Sequence, residues 1–139
     1  YNCRFGDPEC ELIMPMYDGN IIDVFFEVAE SKLNKNTVKW KNQKGVCVVV
    51  CSGGYPEKYQ SGFEINGLDQ IDNEVFCFHS GTKISDKKLV TNGGRVLVLS
   101  TLGESIYHSR ENVYSELKKV SFKNSFYRKD IALRAIVNE

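Results

Sequence analysis

Residues 2 to 12 read Asn-Cys-Arg-Phe-Gly-Asp-Pro-Glu-Cys-Glu-Leu. This short stretch carries the side chains best suited to chemistry: the Asn2 amide, the Arg4 guanidinium, and the carboxylates of Asp7, Glu9 and Glu11. Oxygen-rich groups beside a single cation suit a site that handles Mg²⁺ and phosphate, because hard cations take oxygen ligands and share them with substrate phosphates. The same composition also fits a solvated loop with a surface ion pair. Gly6 permits unusual backbone angles, and Pro8 fixes φ and disfavours helix at Asp7, so the segment bends there.

The elements that must hold these groups can be read from patterning. Alternation over residues 1–5 predicts the end of a strand with Asn2 and Arg4 on one face, and Cys3 and Phe5 toward the core. A helix is predicted after Pro8, with Asp7 as N-cap and Pro8 at the first helical position. Glu9 and Glu11 would complement its positive end, and Pro15 would limit or kink it. Ile21, Ile22, Phe25, Val28, Ala29 and Leu33 recur at helical spacing, predicting a second, core-packed helix from about Asn20 to Leu33, with Asp18 or Asn20 as cap. Residues 34–44 are polar and basic, as expected of a connector, and Trp40 is expected to anchor it against the following domain.

Beyond the connector the signals are those of strands. Residues 46–51 form a β-branched apolar run expected to be a buried strand. Further strands are predicted over 63–68, 75–79, 88–91 and 95–101, with Asn92-Gly93-Gly94 as a hairpin turn between the last two. A helix over about 105–120 has an apolar stripe of Ile106, Val113, Leu117 and Val120, and Thr101 with Glu104 fits a capping box.

Several further groups invite a chemical reading beside a structural one. The glycines of Ser52-Gly53-Gly54-Tyr55-Pro56 can present N–H groups to an anion or simply make a turn. Arg95, after Gly93 and Gly94, can grip a phosphate or lie on the surface with an ordinary partner. His79 ends a strand and reads as structural, and Cys77 with His79 has no second ligand pair, which excludes zinc. Cys47 and Cys51 on one strand stand about 13 Å apart, so they read as free thiols.

The chain has 139 residues, 18 Lys plus Arg against 18 Asp plus Glu, and five cysteines. That length suits one domain with a piece of another. Zero net charge argues against nucleic acid and against anionic membranes as partners. No apolar run approaches the roughly 18 residues of a transmembrane helix. An odd cysteine count favours reduced thiols and a cytoplasmic setting. No internal repeat or low-complexity segment is visible.

The segment Arg4-Phe5-Gly6-Asp7-Pro8-Glu9-Cys10-Glu11-Leu12 resembles the signature of glycinamide ribonucleotide synthetases, the phosphoribosylamine–glycine ligases of the ATP-grasp superfamily. The likeness continues in order through Ser52-Gly53-Gly54-Tyr55-Pro56, Phe78-His79-Ser80-Gly81-Thr82, Thr91-Asn92-Gly93-Gly94-Arg95-Val96-Leu97 and Phe126-Tyr127-Arg128-Lys129-Asp130-Ile131. It covers nearly the whole chain, which is too short for such an enzyme and resembles its C-terminal third.

The resemblance implies an α+β fold: the end of an ATP-grasp domain over 1–36, then a mostly antiparallel, barrel-like C-terminal domain over 44–139 covered by a helix. It implies ATP-dependent amide formation between glycine and 5-phosphoribosylamine through a glycyl phosphate, with Mg²⁺ or Mn²⁺ as cofactor, the chain itself being inactive alone. Asn2 matches one metal ligand, and its Glu partner would fall immediately before Tyr1. Arg4 is then the candidate for the acceptor carboxylate or acyl phosphate. Asp7 and Glu9 would shape the loop or touch the amine, Gly93, Gly94 and Arg95 would hold the phosphate of phosphoribosylamine, and residues 127–130 would seal the domain against the ATP-binding part. The rival expectation is a non-catalytic phosphate-binding or interaction module descended from such a ligase.

Overall fold

The computed structural model describes residues 2–137; Tyr1, Asn138 and Glu139 lie outside it. The helices are α1 (Glu9–Met16), α2 (Ile21–Ala29), α3 (Ile106–Leu117) and the short α4 (Leu133–Ile136). The strands are β1 (Lys44–Cys51), β2 (Phe76–His79), β3 (Thr82–Ser85), β4 (Lys88–Thr91) and β5 (Arg95–Gly103). They make a three-stranded antiparallel sheet in the order β1-β5-β2 and a separate β3-β4 pair. The fold is α+β as expected, but no closed barrel forms among the described residues.

β5 is the centre of the molecule. Val96, Leu97, Val98 and Leu99 are fully buried, because a strand flanked on both edges and covered on both faces has no exposed side. Val46, Val48 and Val50 of β1 join Leu97 and Leu99 in one core with Val113 and Leu117 of α3. α1 lies on the other face, where Leu12 and Met16 pack against Gly45, and Ser100 Oγ donates to the Glu11 carbonyl at 2.8 Å. The alternation of β1 thus serves two layers: Val46, Val48 and Val50 toward α3, and Cys47, Val49 and Cys51 toward the opposite face, beside Pro8.

α3 begins at Ser105, whose hydroxyl accepts the His108 N–H at 3.0 Å. The Thr101–Glu104 capping box is therefore not used. Thr101 is inside β5 and donates to the Ser109 carbonyl at 2.6 Å. Ser105→Ala should destabilise the protein by about 1 kcal/mol, the usual worth of an N-cap. Urea denaturation at equilibrium checks this, with a shifted midpoint and an unchanged slope expected.

Five further expectations are corrected. Residues 2–5 form no strand but bend at Cys3 and Arg4, and Cys3 and Phe5 are exposed; without a paired strand among the described residues the segment has nothing to hold it as sheet. Asn92-Gly93-Gly94 is not a hairpin turn but a passage between sheets, because both edges of β5 are already taken by β1 and β2. The tight hairpin is instead β3-β4, turned by Asp86 and Lys87 with φ of 49° and 64°, the two positive angles such a turn requires. Residues 63–68 give only single bridges at Glu64 and Asn66, since the chain turns at Gly67 (φ 84°) against the Lys119 carbonyl.

The fourth concerns α2. Asn20 caps it as predicted, its side chain accepting the Ile22 N–H at 3.2 Å. Yet Ile22, Phe25, Phe26 and Val28 are exposed, so the helix is not core-packed. Periodicity reveals that an apolar face exists, not what covers it. The connector is expected to lean on the following domain through Trp40, but folds back instead: Trp40 meets Tyr17 edge-on at 5.7 Å, and Lys41 Nζ donates to the Pro15 carbonyl at 2.8 Å.

Candidate functional site

Asp7 is predicted to cap α1, but the cap position is Pro8, with no side-chain cap bond. The Asp7 carboxylate turns away to a guanidinium 88 positions later. Its Oδ2 lies 3.4 Å from Arg95 Nη2, and Arg95 Nη1 donates to the Asp7 carbonyl at 3.1 Å. The carboxylate therefore serves a long-range ion pair and not the helix end. Asp7 Oδ1 is enclosed and has no protein partner. Arg95 opens β5, paired with Cys51 at the end of β1 beside a bulge. Fold and N-terminal segment therefore meet at one charged contact, about two-fifths exposed on the Arg95 side.

The turn before Arg95 is locked from three directions. Ser52, 2% exposed, donates its hydroxyl to the Gly93 carbonyl and its N–H to the Gly94 carbonyl, both at 2.8 Å. The Tyr55 ring covers Gly94, so closely that a Cβ there would fall 2.1 Å from Cδ2. Gly81 presses on Gly93, and its own Cβ would fall 2.5 Å from the Arg95 carbonyl. Gly94 is buried, Gly93 half-buried and Arg95 exposed.

On the other side of the same segment, Arg4 and Glu9 line an open depression of about 320 Å³ with Phe5 and Ile13. Arg4 Nη1 donates to the Phe5 carbonyl at 2.8 Å. The Asn2 amide and the Glu9 carboxylate both lie against Gly6. The structure thus gathers Arg4, Glu9 and Asn2 around the start of α1, joins Asp7 to Arg95, and joins Gly93 and Gly94 to Ser52 and Tyr55. Among the described residues no group of three or more His, Cys, Asp or Glu side chains is placed to hold a metal. Asn2 alone supplies one oxygen, which is not a cation site.

Sequence reasoning missed two parts of this region. One is Ser52, whose hydroxyl was hidden in a motif dominated by glycines. The other is a largely apolar cleft of about 380 Å³ lined by Pro8, Cys47, Val49, Cys51, Tyr55 and Phe126. The period-two pattern of β1 placed Cys47, Val49 and Cys51 on one face, but Pro8 and Phe126 come from the chain's two ends. Burial, with the negative charges of Glu11 and Asp7, pushes the Cys47 thiol up to about 11. Burial likewise raises Cys77 to about 11 and raises Cys51, where Arg95 pulls the other way. These are unreactive thiols at neutral pH. The five cysteines are free, and Cys47 and Cys51 make no bridge.

Segment 126–131 closes this end. Phe126 pairs with Cys51, and α3 holds the rest: Arg110 donates to the carbonyls of Ile131 (2.9 Å) and Lys129 (2.7 Å), and Tyr114 donates to that of Arg128 at 2.6 Å. Arg128 grips Asp130 and holds its carboxyl below the ordinary range.

The architecture is that of a small α+β domain whose strand ends and N-terminal segment assemble a charged surface. Residues 45–134 match the family model described as phosphoribosylglycinamide synthetase, C domain, and the chain belongs to that family. It is 43% identical over 95% of its length to a phosphoribosylamine–glycine ligase of Caldanaerobacter subterraneus, of which it covers 31%. It is 41% identical over 98% of its length to the trifunctional purine biosynthetic protein adenosine-3 of Gallus gallus, covering 14% of it. A solved structure of a phosphoribosylamine–glycine ligase from Thermotoga maritima superposes on 94% of the chain, and 32% of that protein, with a TM-score of 0.80 and 34% identity. The chain spans about a third of the length of the single-function ligases it matches.

Proposed function

We propose that the chain is the C-terminal portion of a phosphoribosylamine–glycine ligase and forms one wall of its active site. In this reading ATP phosphorylates the glycine carboxylate, giving glycyl phosphate and ADP. The amine of 5-phosphoribosylamine then attacks the carbonyl carbon, loses a proton and expels phosphate. Residues 1–36 would complete the ATP-grasp domain and 44–139 form the C-terminal domain. The chain alone, without the ATP-binding parts, is expected to be inactive. Its setting would be cytoplasmic, in keeping with free thiols; no helix of the described residues is long and apolar enough to cross a membrane.

Each residue has a role that its environment permits. Arg4 is exposed beside Glu9, free to take the glycine carboxylate or acyl phosphate in a guanidinium fork. Glu9 and Asp7 would shape the amine side. Arg95, with Gly93 and Gly94 holding its turn, would take the phosphate of phosphoribosylamine. Mg²⁺ or Mn²⁺ would supply charge neutralisation to the phosphoryl group, and Asn2 would lend it one oxygen.

The observation that carries this reading is the Asp7–Arg95 contact. It draws the diglycine turn to the segment that bears every other candidate, although 88 positions separate them. Calorimetric titration with ribose 5-phosphate tests it. Arg95→Ala should weaken affinity roughly tenfold or more, the worth of a charge-assisted contact. Unchanged affinity would remove Arg95 from the phosphate site.

A further inference from the structure

We propose that Ser52 is a positioning residue for Arg95, setting the direction from which the guanidinium meets the substrate phosphate; this rests on the phosphate role proposed above for Arg95. Ser52 is almost wholly buried, and its hydroxyl is engaged by the protein's own backbone. What it holds are the two peptide units immediately before the Arg95 Cα. Its hydroxyl binds the Gly93 carbonyl and its amide the Gly94 carbonyl, each at 2.8 Å. A peptide unit is planar, so fixing a carbonyl fixes the N–H on the opposite side. Two adjacent units fixed by one residue leave the next Cα little freedom.

The turn needs such a hold. Glycine has the widest conformational range of any residue, and two in succession give Arg95 a loose base. Neither has a side chain with which to secure itself. Tyr55 and Gly81 limit the space by contact, but contact sets no hydrogen-bond direction. Arg95 must nonetheless reach Asp7 with two nitrogens, at 3.1 Å and 3.4 Å. The backbone bond from the Ser52 amide survives any substitution at that position other than proline. The bond from the hydroxyl is the one a point mutation removes.

The test uses the full-length ligase. Ser52→Ala should raise KM for phosphoribosylamine about three- to tenfold, the effect of one neutral hydrogen bond, with kcat and the KM values for ATP and glycine unchanged. Ser52→Cys, a weaker donor of similar shape, should fall between. In an Arg95→Ala background, Ser52→Ala should add nothing. A Ser52→Ala enzyme with normal KM, a rise spread equally over all three substrates, or an undiminished effect without Arg95 each overturns the proposal. If Arg95→Ala itself leaves KM for phosphoribosylamine unchanged, the phosphate role of Arg95 falls, and the Ser52 role with it. An impaired Arg95→Ala beside a normal Ser52→Ala removes the Ser52 role alone.

Discussion

Gly94→Ala should lower stability by about 3 kcal/mol, at the upper end of what overpacking usually costs. The reason is local and steric. An added Cβ would stand 2.1 Å from Tyr55 Cδ2, 2.7 Å from Cε2 and 3.0 Å from Cγ. One whole edge of an aromatic ring must therefore move, not merely the tip of a flexible side chain. The ring has little room: the Tyr55 amide is bonded to the Ser52 carbonyl at 3.1 Å, and the Tyr59 ring meets it edge-on at 6.2 Å. Urea denaturation measures the loss. The control is the pair with Tyr55→Ala. That change leaves a space where the new methyl group fits, so the double variant should lose clearly less than the two single losses combined. Simple additivity would mean that Gly94 is required for some other reason. Gly93→Ala should be milder, since its nearest obstacle is the Gly81 Cα at 3.1 Å.

The same residues explain which parts of the molecule the sequence reveals. Strand β1 was legible because six apolar residues ended in Ser-Gly-Gly, and α3 because its stripe repeats at helical spacing. Both signals are local and depend only on what a segment must bury. The hairpin reading of Asn92-Gly93-Gly94 failed because turn chemistry identifies a bend without identifying the strand on its far side. Here β5 was claimed by β1 and β2, and the real hairpin used Asp86 and Lys87. The exposed face of α2 is the counterpart: its pattern demanded a cover, yet Ile22, Phe25, Phe26 and Val28 stay exposed, with the Phe5 ring 5.9 Å from Phe25.

The candidate site divides the same way. Residue types along 2–9 indicated oxygen ligands and a cation, and the structure keeps Arg4 and Glu9 in one depression. The partner of Asp7 was out of reach of any local argument, since Arg95 is 88 positions away and the competing cap reading was locally sound. Ser52 was invisible for a different reason. A serine beside two glycines looks like turn composition, and only coordinates show that its hydroxyl serves another turn.

If Arg4 has the role proposed above, Arg4→Ala in the proposed full-length ligase should cut kcat by roughly 10²- to 10³-fold, the usual consequence of losing one preorganised group that stabilises developing charge. Arg4 has few structural duties. Its one hydrogen bond among the described residues goes to the adjacent Phe5 carbonyl, and the side chain is exposed. Folding should thus be indifferent to it, and a thermal melt of the variant should match the parent. Arg95 and Asp7 offer no such separation, because they also join the N-terminal segment to β5. Arg4→Lys should recover only part of the rate, since an ammonium gives a point charge and no planar fork for a carboxylate or acyl phosphate. Steady-state kinetics with glycine varied reads both effects, and a positional isotope exchange assay of ATP in the absence of the amine separates acyl phosphate formation from amide formation. A kcat within a few-fold of the parent for Arg4→Ala would transfer the catalytic role to another cation, and would leave the depression beside Glu9 without a chemical reason for its guanidinium.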